Sequence, residues 1–215
     1  MGRPRIPLLD RRRIGAAALT LADEKGTLTI PALAKALGVA PSALYHHVSG
    51  REEIISLMRE ELVLTTGGDK DWSQPWESGL EDWARNFLSA FAAHPGAVPL
   101  LATAPLAEPF MHAMYEKVAE LLITGGFATD QVMPVITAVE SFVLGSALDM
   151  VAPSVMLSDV ARDAAPHLST ALDRTPTDHS RAARAFDIGL RALLTGFRDL
   201  VDHPEGDCKT FGSVT

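Results

Sequence analysis

The 215-residue sequence contains a single cysteine, and that scarcity excludes two kinds of structure. Cys208 has no partner in the chain, so neither a disulfide framework nor a zinc site built on cysteines can form. Proteins without disulfides are typical of the cytosol, which predicts a cytoplasmic location. The first residues, MGRPRIPLLDRRR, lack the apolar run that follows the basic residues of a signal peptide.

Motifs that carry catalysis are absent as well. The sequence has no Gly-x-Ser-x-Gly, no phosphate-binding glycine loop and no His-Glu-x-x-His, so nucleophilic, nucleotide and zinc-protease chemistry have no support. His112 and Glu116 are four residues apart and could share a helix face, but an exposed pair is the commoner outcome. We expect a protein that is not an enzyme and that needs no metal or cofactor.

Alternating strand patterns are missing, whereas apolar residues recur at a spacing near 3.6 along the whole chain. This periodicity predicts an all-α protein. The most apolar long segment, residues 132–150, contains Glu140 and a proline and nearly ends with Asp149. A buried or interfacial helix suits that composition better than a membrane span, and we expect no contact with a membrane.

The net charge of −8 is unevenly distributed along the chain. Residues 1–60 carry nine lysines or arginines against six aspartates or glutamates, a net charge of +3, while the remainder carries −11. The N-terminal part alone is therefore suited to a polyanion such as nucleic acid.

Capping and breaking residues divide the N-terminal part into short helices. Asp10 can cap the first helix, which ends near Gly26. Thr29 can cap a second helix that ends at Gly38, because a left-handed residue is needed there. A third helix is predicted over residues 41–48, with a proline at its start.

Ser49 and Glu52 have the spacing of a capping box, which predicts a fourth helix from there to about residue 64. Glycines, charges and a proline then interrupt the apolar pattern over residues 65–75. We place a domain boundary at this joint, which gives a head of residues 1–64, a body of residues 65–203 and a disordered tail of residues 204–215. The body is predicted to contain helices over residues 75–94, 98–103, 108–124, 129–151 and 180–201, with one weak helix within 154–178.

The second and third predicted helices have the pattern of a helix-turn-helix. Ala34 is small where the two helices would cross, and Gly38 occupies the tight turn, which requires a positive φ. The second helix of such a unit lies in the major groove of DNA and exposes its first residues to the bases. Here those residues include Ser42 and Ala43.

Tyr45, His46 and His47 come at the end of this helix. Adjacent helical residues point about 100° apart, so the two histidines cannot chelate one metal, whereas they can contact the DNA backbone on either side. Two alternatives stay open: the histidines are solvated, or Tyr45 packs in the core of the head.

Three arginines can add contacts to DNA. Arg51 stands at the start of the fourth helix, where its charge and the helix N-terminus favour phosphate. Arg3 and Arg5 flank a proline and either follow a narrow minor groove or belong to a disordered, solvated terminus.

The segment LTIPALAKALGVAPSALYHHVSGREEII resembles the second to fourth helices of the tetracycline-repressor (TetR) family of bacterial transcription regulators, within a similarity that covers residues 10–64. The resemblance implies a homodimer with one N-terminal DNA-binding head per subunit and a helical body that binds a small inducer. It also implies a set of DNA-contacting positions, which in this chain are Thr29, Ser42, Ala43, Tyr45, His46, His47 and Arg51.

The body is more loosely similar to that of the tetracycline repressor, through HPGAVPLLATAP and GGFATDQVMPVITAVESFVLGSALD. The histidine by which that repressor reaches the magnesium of its chelated antibiotic falls on Leu100 here, while Thr103 is retained and Asp149 stands where an acidic residue is expected. Because a leucine cannot ligate a metal, we do not expect magnesium-tetracycline as the inducer.

Two body helices carry apolar stripes that need a cover. Paired with the same helices of a second subunit, residues 129–151 and 180–201 would form a four-helix dimer interface. The alternative is that both stripes fill the core of a single subunit.

A ligand pocket requires an apolar lining with a few polar anchors. Candidates are spread over the helices of the body, and each of them could equally belong to the core. They are Trp83, Phe87, Leu100, Thr103, Phe110, Met114, Phe142 and Asp149.

The main hypothesis is a dimeric repressor that binds a palindromic double-stranded DNA operator and is released from it by a small, largely apolar inducer. The inducer would act through residues 50–64, which join the head to the body. Two alternatives are a small-molecule carrier or enzyme with a vestigial DNA-binding head, and a DNA-binding regulator without a ligand.

Overall fold

The computed structural model describes residues 9–66, 71–153, 155, 157, 164–176, 178 and 180–203. Over these residues the chain forms ten α-helices, one short 3-10 turn and no β-strand, which confirms the all-α prediction. Arg3, Arg5 and the predicted tail lie outside the described residues. The helices are α1 (Arg11–Lys25), α2 (Ile30–Leu37), α3 (Pro41–Leu44), α4 (Arg51–Thr66), α5 (Trp76–Ala93), α6 (Val98–Ala102), α7 (Pro109–Thr124), α8 (Thr129–Met150), α9 (Pro166–Leu172) and α10 (Ser180–Asp202), with the 3-10 turn at Pro95–Ala97.

The caps of α1 and α2 agree with the sequence prediction. The Asp10 carboxylate accepts a hydrogen bond from the amide of Arg13 at 2.8 Å, and the Thr29 hydroxyl accepts one from the amide of Ala32 at 3.3 Å. Gly26 and Gly38 end the two helices with φ of 64° and 69°, in the left-handed region that only glycine adopts at little cost. A capping side chain therefore sets the start of each helix, and a glycine in the left-handed conformation sets its end.

The third helix is shorter than predicted. It ends at Leu44 rather than continuing to Val48, and residues 45–47 form a turn. The carbonyl oxygen of Leu44 accepts the amides of both His47, at 2.8 Å, and Val48, at 3.0 Å, so the last turn tightens from α toward 3-10 geometry.

At the start of α4, Ser49 bonds to Glu53 rather than to Glu52, the partner in the predicted capping box, and the reciprocal pattern of a capping box is not formed. The helix begins at Arg51, one residue later than the Ser49–Glu52 spacing requires, so the third helical position is Glu53. The Glu53 carboxylate accepts the backbone amide of Ser49 at 2.7 Å and its hydroxyl at 2.9 Å.

The head packs closely within itself and onto the body. At the crossing of α1 and α4, a Cβ on Gly15 would come within 2.5 Å of the carbonyl oxygen of Leu57, so the backbones are in contact. The Asp23 carboxylate near the end of α1 pairs with His94 Nδ1 at 2.8 Å and accepts the amide of Gly96 at 3.0 Å. The same buried core continues into the end of α5, the 3-10 turn and α6.

The body is built around α8, which contacts α5, α7 and α10. The apolar stripes of α8 and α10 were predicted to form a dimer interface. The structure corrects this prediction, because both stripes are buried in the core of a single chain. Phe186 and Leu190 of α10 are 3% and 1% exposed, and Val139 of α8 is fully buried. The helices approach closely because Gly189 lies against the ring of Phe142. By length and composition α8 could cross a membrane, but it is the central helix of this body.

Candidate DNA-binding surface and ligand cavity

The predicted DNA-contacting side chains lie on the surface of the head. Tyr45 is 57% exposed, so the alternative in which it packs in the core of the head is wrong. Ala43 and His47 are half-buried. The exposed members of the set are Thr29, Ser42, Tyr45, His46 and Arg51.

The turn that carries the two histidines is fixed to the rest of the head by Arg11. Its Nη1 donates to the backbone oxygen of His47 at 3.0 Å and also bonds the carboxylate of Glu53. One guanidinium thus joins α1, the end of the exposed turn and α4. Buried Leu44 and Val48 hold the same segment from below, so the surface side chains are presented by a fixed backbone.

A cavity of about 480 Å³ opens in the body, between α4, α5, α6, α7 and α8. Its lining is mainly apolar and aromatic, which is typical of small-molecule sites, as is its volume. Four of the eight predicted pocket residues line it: Trp83, Phe87, Phe110 and Met114.

The other four predicted pocket residues lie elsewhere. Leu100 packs against the head core, and the exposed Thr103 donates its hydroxyl to the carbonyl of Pro99 at 2.7 Å. Phe142 and Asp149 line a separate, more open depression between α8 and α10, where Asp149 pairs with Arg181 at 2.8 Å. The structure therefore brings four of the eight candidates together, while α8 turns Phe142 and Asp149 toward α10.

Leu100 and Thr103 stand outside the cavity, and no group of three or more histidine, cysteine, aspartate or glutamate side chains able to hold a metal occurs within the described part of the chain. The adjacent His46 and His47 belong to no such group.

Aromatic rings form a continuous wall along one side of the cavity. Trp83 and Phe87 are stacked with ring centroids 5.8 Å apart, and Phe87 meets Phe91 edge-on at 4.6 Å. Tyr115 approaches Trp83 edge-on at 6.5 Å. This wall offers flat apolar surface and the electron-rich faces of several rings.

Arg59 of α4 lines the cavity and fastens α4 to the segment between α6 and α7. It donates to the carbonyl oxygens of Leu101, Ala104 and Pro105 at 3.1, 2.7 and 2.8 Å, and to the carboxylate of Glu108 at 2.9 Å. Both side chains of the ion pair are more than nine-tenths buried. Burial alone would raise the pKa of Glu108, but the hydrogen bonds from Arg59 and from backbone amides outweigh it and hold that pKa below its ordinary value.

A second polar pair, Tyr115 of α7 and Glu140 of α8, lines the same cavity. The Tyr115 hydroxyl donates to the Glu140 carboxylate. Burial raises the pKa of Glu140 above its ordinary value, against the opposing effect of that hydrogen bond. Burial and the neighbouring carboxylate also raise the pKa of Tyr115, which keeps its hydroxyl protonated.

The sequence interpretation missed Arg59, Glu108, Tyr115 and Glu140. A signal existed for two of them, since Arg59 lies among the buried Ile55, Met58 and Leu62 of α4, and Glu140 is the one charged residue between Asp130 and Asp149. A lone charge in an apolar helical pattern is expected to have a buried partner or a function.

An exposed helix-turn-helix on a helical body defines a DNA-binding transcription regulator. Comparison of the sequence with known families supports this class and refines it. "Bacterial regulatory proteins, tetR family" matches residues 14–58, and "Tetracyclin repressor-like, C-terminal domain" matches residues 70–201. The chain belongs to the TetR family.

Relatives of known role are transcription regulators rather than enzymes. The chain is 30% identical over 203 residues to the tetracycline repressor protein class D of Escherichia coli, an alignment that covers 88% of this chain and 89% of that protein. It is 27% identical over 144 residues to the HTH-type transcriptional repressor DrrR1 of Streptomyces coeruleorubidus, which covers 66% of this chain. The chain spans 53% of the length of DrrR1 and 60% of that of another HTH-type regulator.

A solved structure agrees with the fold. A possible TetR family transcriptional regulator from Streptomyces coelicolor A3(2) superposes with a TM-score of 0.71 at 25% identity, covering 89% of this chain and all of that one. The head and the helical body are thus both shared with this regulator.

Proposed function

We propose that this protein is a dimeric cytoplasmic repressor that leaves a palindromic operator when a small, largely apolar ligand fills the cavity. One observation carries the proposal: α4 belongs to both halves of the molecule. Ile54 and Met58 are part of the head core, while Arg59, Leu62 and Val63 line the cavity. A ligand that displaces the cavity wall therefore acts on the helix that supports the DNA-binding surface.

The exposed side chains of the head support operator binding. Ser42 and Ala43 at the start of α3 would contact base edges in the major groove, and Tyr45 and His46 would contact the backbone beside it. Arg51, exposed at the N-terminus of α4, would bind a phosphate.

The outer face of α8 supports a dimer. From residue 133 to residue 148 the exposed positions on this helix are uncharged, unlike an ordinary solvated face, and depletion of charge marks the centre of interfaces. On the neighbouring face of α10, three exposed residues are apolar: Ala185, Ile188 and Ala192. Ile188 is 60% exposed. The exposed positions on α8 between residues 133 and 148 are Met133, Pro134, Thr137, Ser141, Gly145 and Leu148.

This dimer uses the helices predicted from the sequence, residues 129–151 and 180–201, but different faces of them. The large apolar side chains point into the subunit, and the small or apolar exposed side chains would meet the partner. Two heads related by a twofold axis would then read half-sites about one or more helical turns apart.

Arg59 supports the coupling between cavity and head. Its four hydrogen bonds tie α4 to residues 101–108, and Ala104 and Leu106 of that segment line the cavity. A ligand that moves this segment would pull α4 through Arg59. The distance between the two heads of the dimer would change as a result, and operator affinity would fall.

Binding to DNA from the region upstream of the protein's own coding sequence tests the proposal. We expect a palindromic fragment of that region to bind more tightly than random DNA of equal length at matched salt, and equal affinities would refute the repressor function.

Charge-removal variants locate the contact surface. Arg51→Ala is expected to reduce the slope of log K against log salt by about 1, since one phosphate contact is lost. Arg174→Ala, an exposed arginine of the body, removes the same charge and is expected to leave the slope unchanged. A similar decrease in both variants would mean that net charge, rather than the proposed surface, determines binding.

A further inference from the structure

The cavity contains three charged side chains besides its aromatic wall, and two of them are already neutralised. Arg59 is paired with Glu108 and has four hydrogen bonds. Lys117, at the exposed side of the cavity, is paired with Glu120 at 2.8 Å. Neither cation is therefore available to balance an anionic ligand without breaking an existing pair.

Glu140 is the third charged side chain, and within the described chain no lysine, arginine or histidine pairs with it. The neutral hydroxyl of Tyr115 is its hydrogen-bond partner. The carboxylate is largely buried, and burial of a charge without a counter-charge is costly. A positive group entering the cavity would supply the missing counter-charge.

The surroundings of Glu140 suit the rest of such a ligand. Tyr115 connects the carboxylate to the wall formed by Trp83, Phe87 and Phe91. Electron-rich ring faces attract cations and stack on planar apolar groups, most strongly where water is excluded. The carboxylate of Glu140 and the neighbouring ring faces therefore both attract a cation.

We propose that the cavity selects an aromatic or polycyclic amine, whose cationic nitrogen pairs with Glu140 and whose rings lie against Trp83 and Phe87. The volume of about 480 Å³ suits a ligand of this size. The inference rests on the proposed role of the cavity as the ligand site, and it adds the chemical class of the ligand.

Three probes of the same shape but different charge test this selectivity, without DNA. They are 9-aminoacridine, a cation at neutral pH, acridine, which is neutral, and acridine-9-carboxylate, an anion. Affinities are measured by calorimetry with the full chain. We expect the cation to bind at least about tenfold more tightly than acridine, and the anion to bind most weakly.

Two variants assign the preference to Glu140. Glu140→Gln is nearly isosteric and keeps an acceptor for Tyr115, so it is expected to bind acridine as the parent does and to lose the preference for the cation. Tyr115→Phe keeps the carboxylate and is expected to retain the preference. Thermal unfolding of both variants confirms that they are folded.

Several outcomes would overturn the ligand class: equal affinity for cation and neutral probe, tighter binding of the anion, a preference that survives Glu140→Gln, or no binding by any probe. Operator binding is measured on the same preparations without probes. Specific operator binding together with one of these outcomes refutes the ligand class alone, whereas the absence of specific operator binding refutes the regulator function.

Discussion

Glu53, at the start of α4, accepts the backbone amide and hydroxyl of Ser49 and bonds the guanidinium of Arg11. The amide of Ser49, then Arg11, lower the pKa of Glu53 from 4.5 to about 2. A carboxylate with a lowered pKa stabilises the fold at pH values above its ordinary pKa, and this contribution is lost as the pH falls toward 2.

Glu53→Gln is therefore expected to reduce the free energy of unfolding by about 1 kcal/mol at neutral pH, with a decreasing difference below about pH 4.5. Glu52→Gln, one position away and exposed, is the matched control with little expected effect. Denaturant unfolding at a series of pH values measures both. Equal losses in the two variants would contradict the stabilising role of the bonds from Ser49 and Arg11 to Glu53.

Glu140 has the opposite pKa shift, because its burial disfavours the charged form. A carboxyl group with a raised pKa lowers the stability of the fold as the pH rises through that pKa. Glu140→Gln removes this ionisation, so the variant is expected to gain stability relative to the parent as the pH increases above 4.5. Thermal unfolding at about pH 4 and pH 8 measures the gain, and a loss that grows with pH would contradict it.

At the scale of elements, the turn between α2 and α3 depends on a positive φ at Gly38. A Cβ there would meet no atom within 4 Å, so backbone conformation is the source of the cost. Gly38→Ala is expected to destabilise the protein by about 1–2 kcal/mol. Gly50→Ala is the matched control, since that position is equally open and lacks a positive φ. Chemical denaturation would contradict the argument if both variants lost the same amount.

The Arg59 cluster is the main polar link between α4 and the segment before α7. Arg59→Met leaves Glu108 buried without its partner and is expected to cost about 3–5 kcal/mol of folding free energy. Arg59→Met/Glu108→Gln should recover part of that loss. Lys117→Met breaks an exposed pair with Glu120 and should cost less than about 1 kcal/mol. Equal costs for Arg59→Met and Lys117→Met, measured by denaturant unfolding, would be inconsistent with a buried clamp.

The sequence was sufficient for features that depend on neighbours along the chain. Asp10, Thr29 and Gly38 were identified because a cap or a turn involves residues only a few positions apart. The partner of Ser49 was predicted one residue too early, as Glu52 rather than Glu53, because two adjacent glutamates follow it at nearly the same spacing. Helix boundaries in the body followed equally from local periodicity.

Features that depend on distant contacts were not predictable in the same way. Apolar periodicity shows that Phe186 and Leu190 are covered, but it does not distinguish a helix of the same chain from one of a partner. Two of the four misplaced pocket residues, Phe142 and Asp149, lie on α8, and the rotation of that helix decides whether a residue faces α7 or α10. The ion pair of Arg59 and Glu108 joins positions 49 residues apart.

At the scale of the whole molecule, the uncharged outer face of α8 predicts that the protein is a dimer in solution. Gly145→Arg places a charge on this face, where a Cβ meets no other atom of the subunit, and is expected to give a folded monomer. Ala113→Arg, on the exposed side of α7, is the control and should remain dimeric. Sedimentation at micromolar concentration measures both, and a dimeric Gly145→Arg protein would contradict this interface.

The bonds of Asp23 to His94 and Gly96 attach the head at a second point, away from α4. A rigid part held at two separate points can rotate only about the line that joins them. A head attached by one flexible linker could rotate about three axes. With two attachments, rotation about the line between them is the one that remains. A ligand in the cavity would tilt each head in a defined direction, and Asp23→Ala would loosen that constraint while the packing of Gly96 against Ala22 remained.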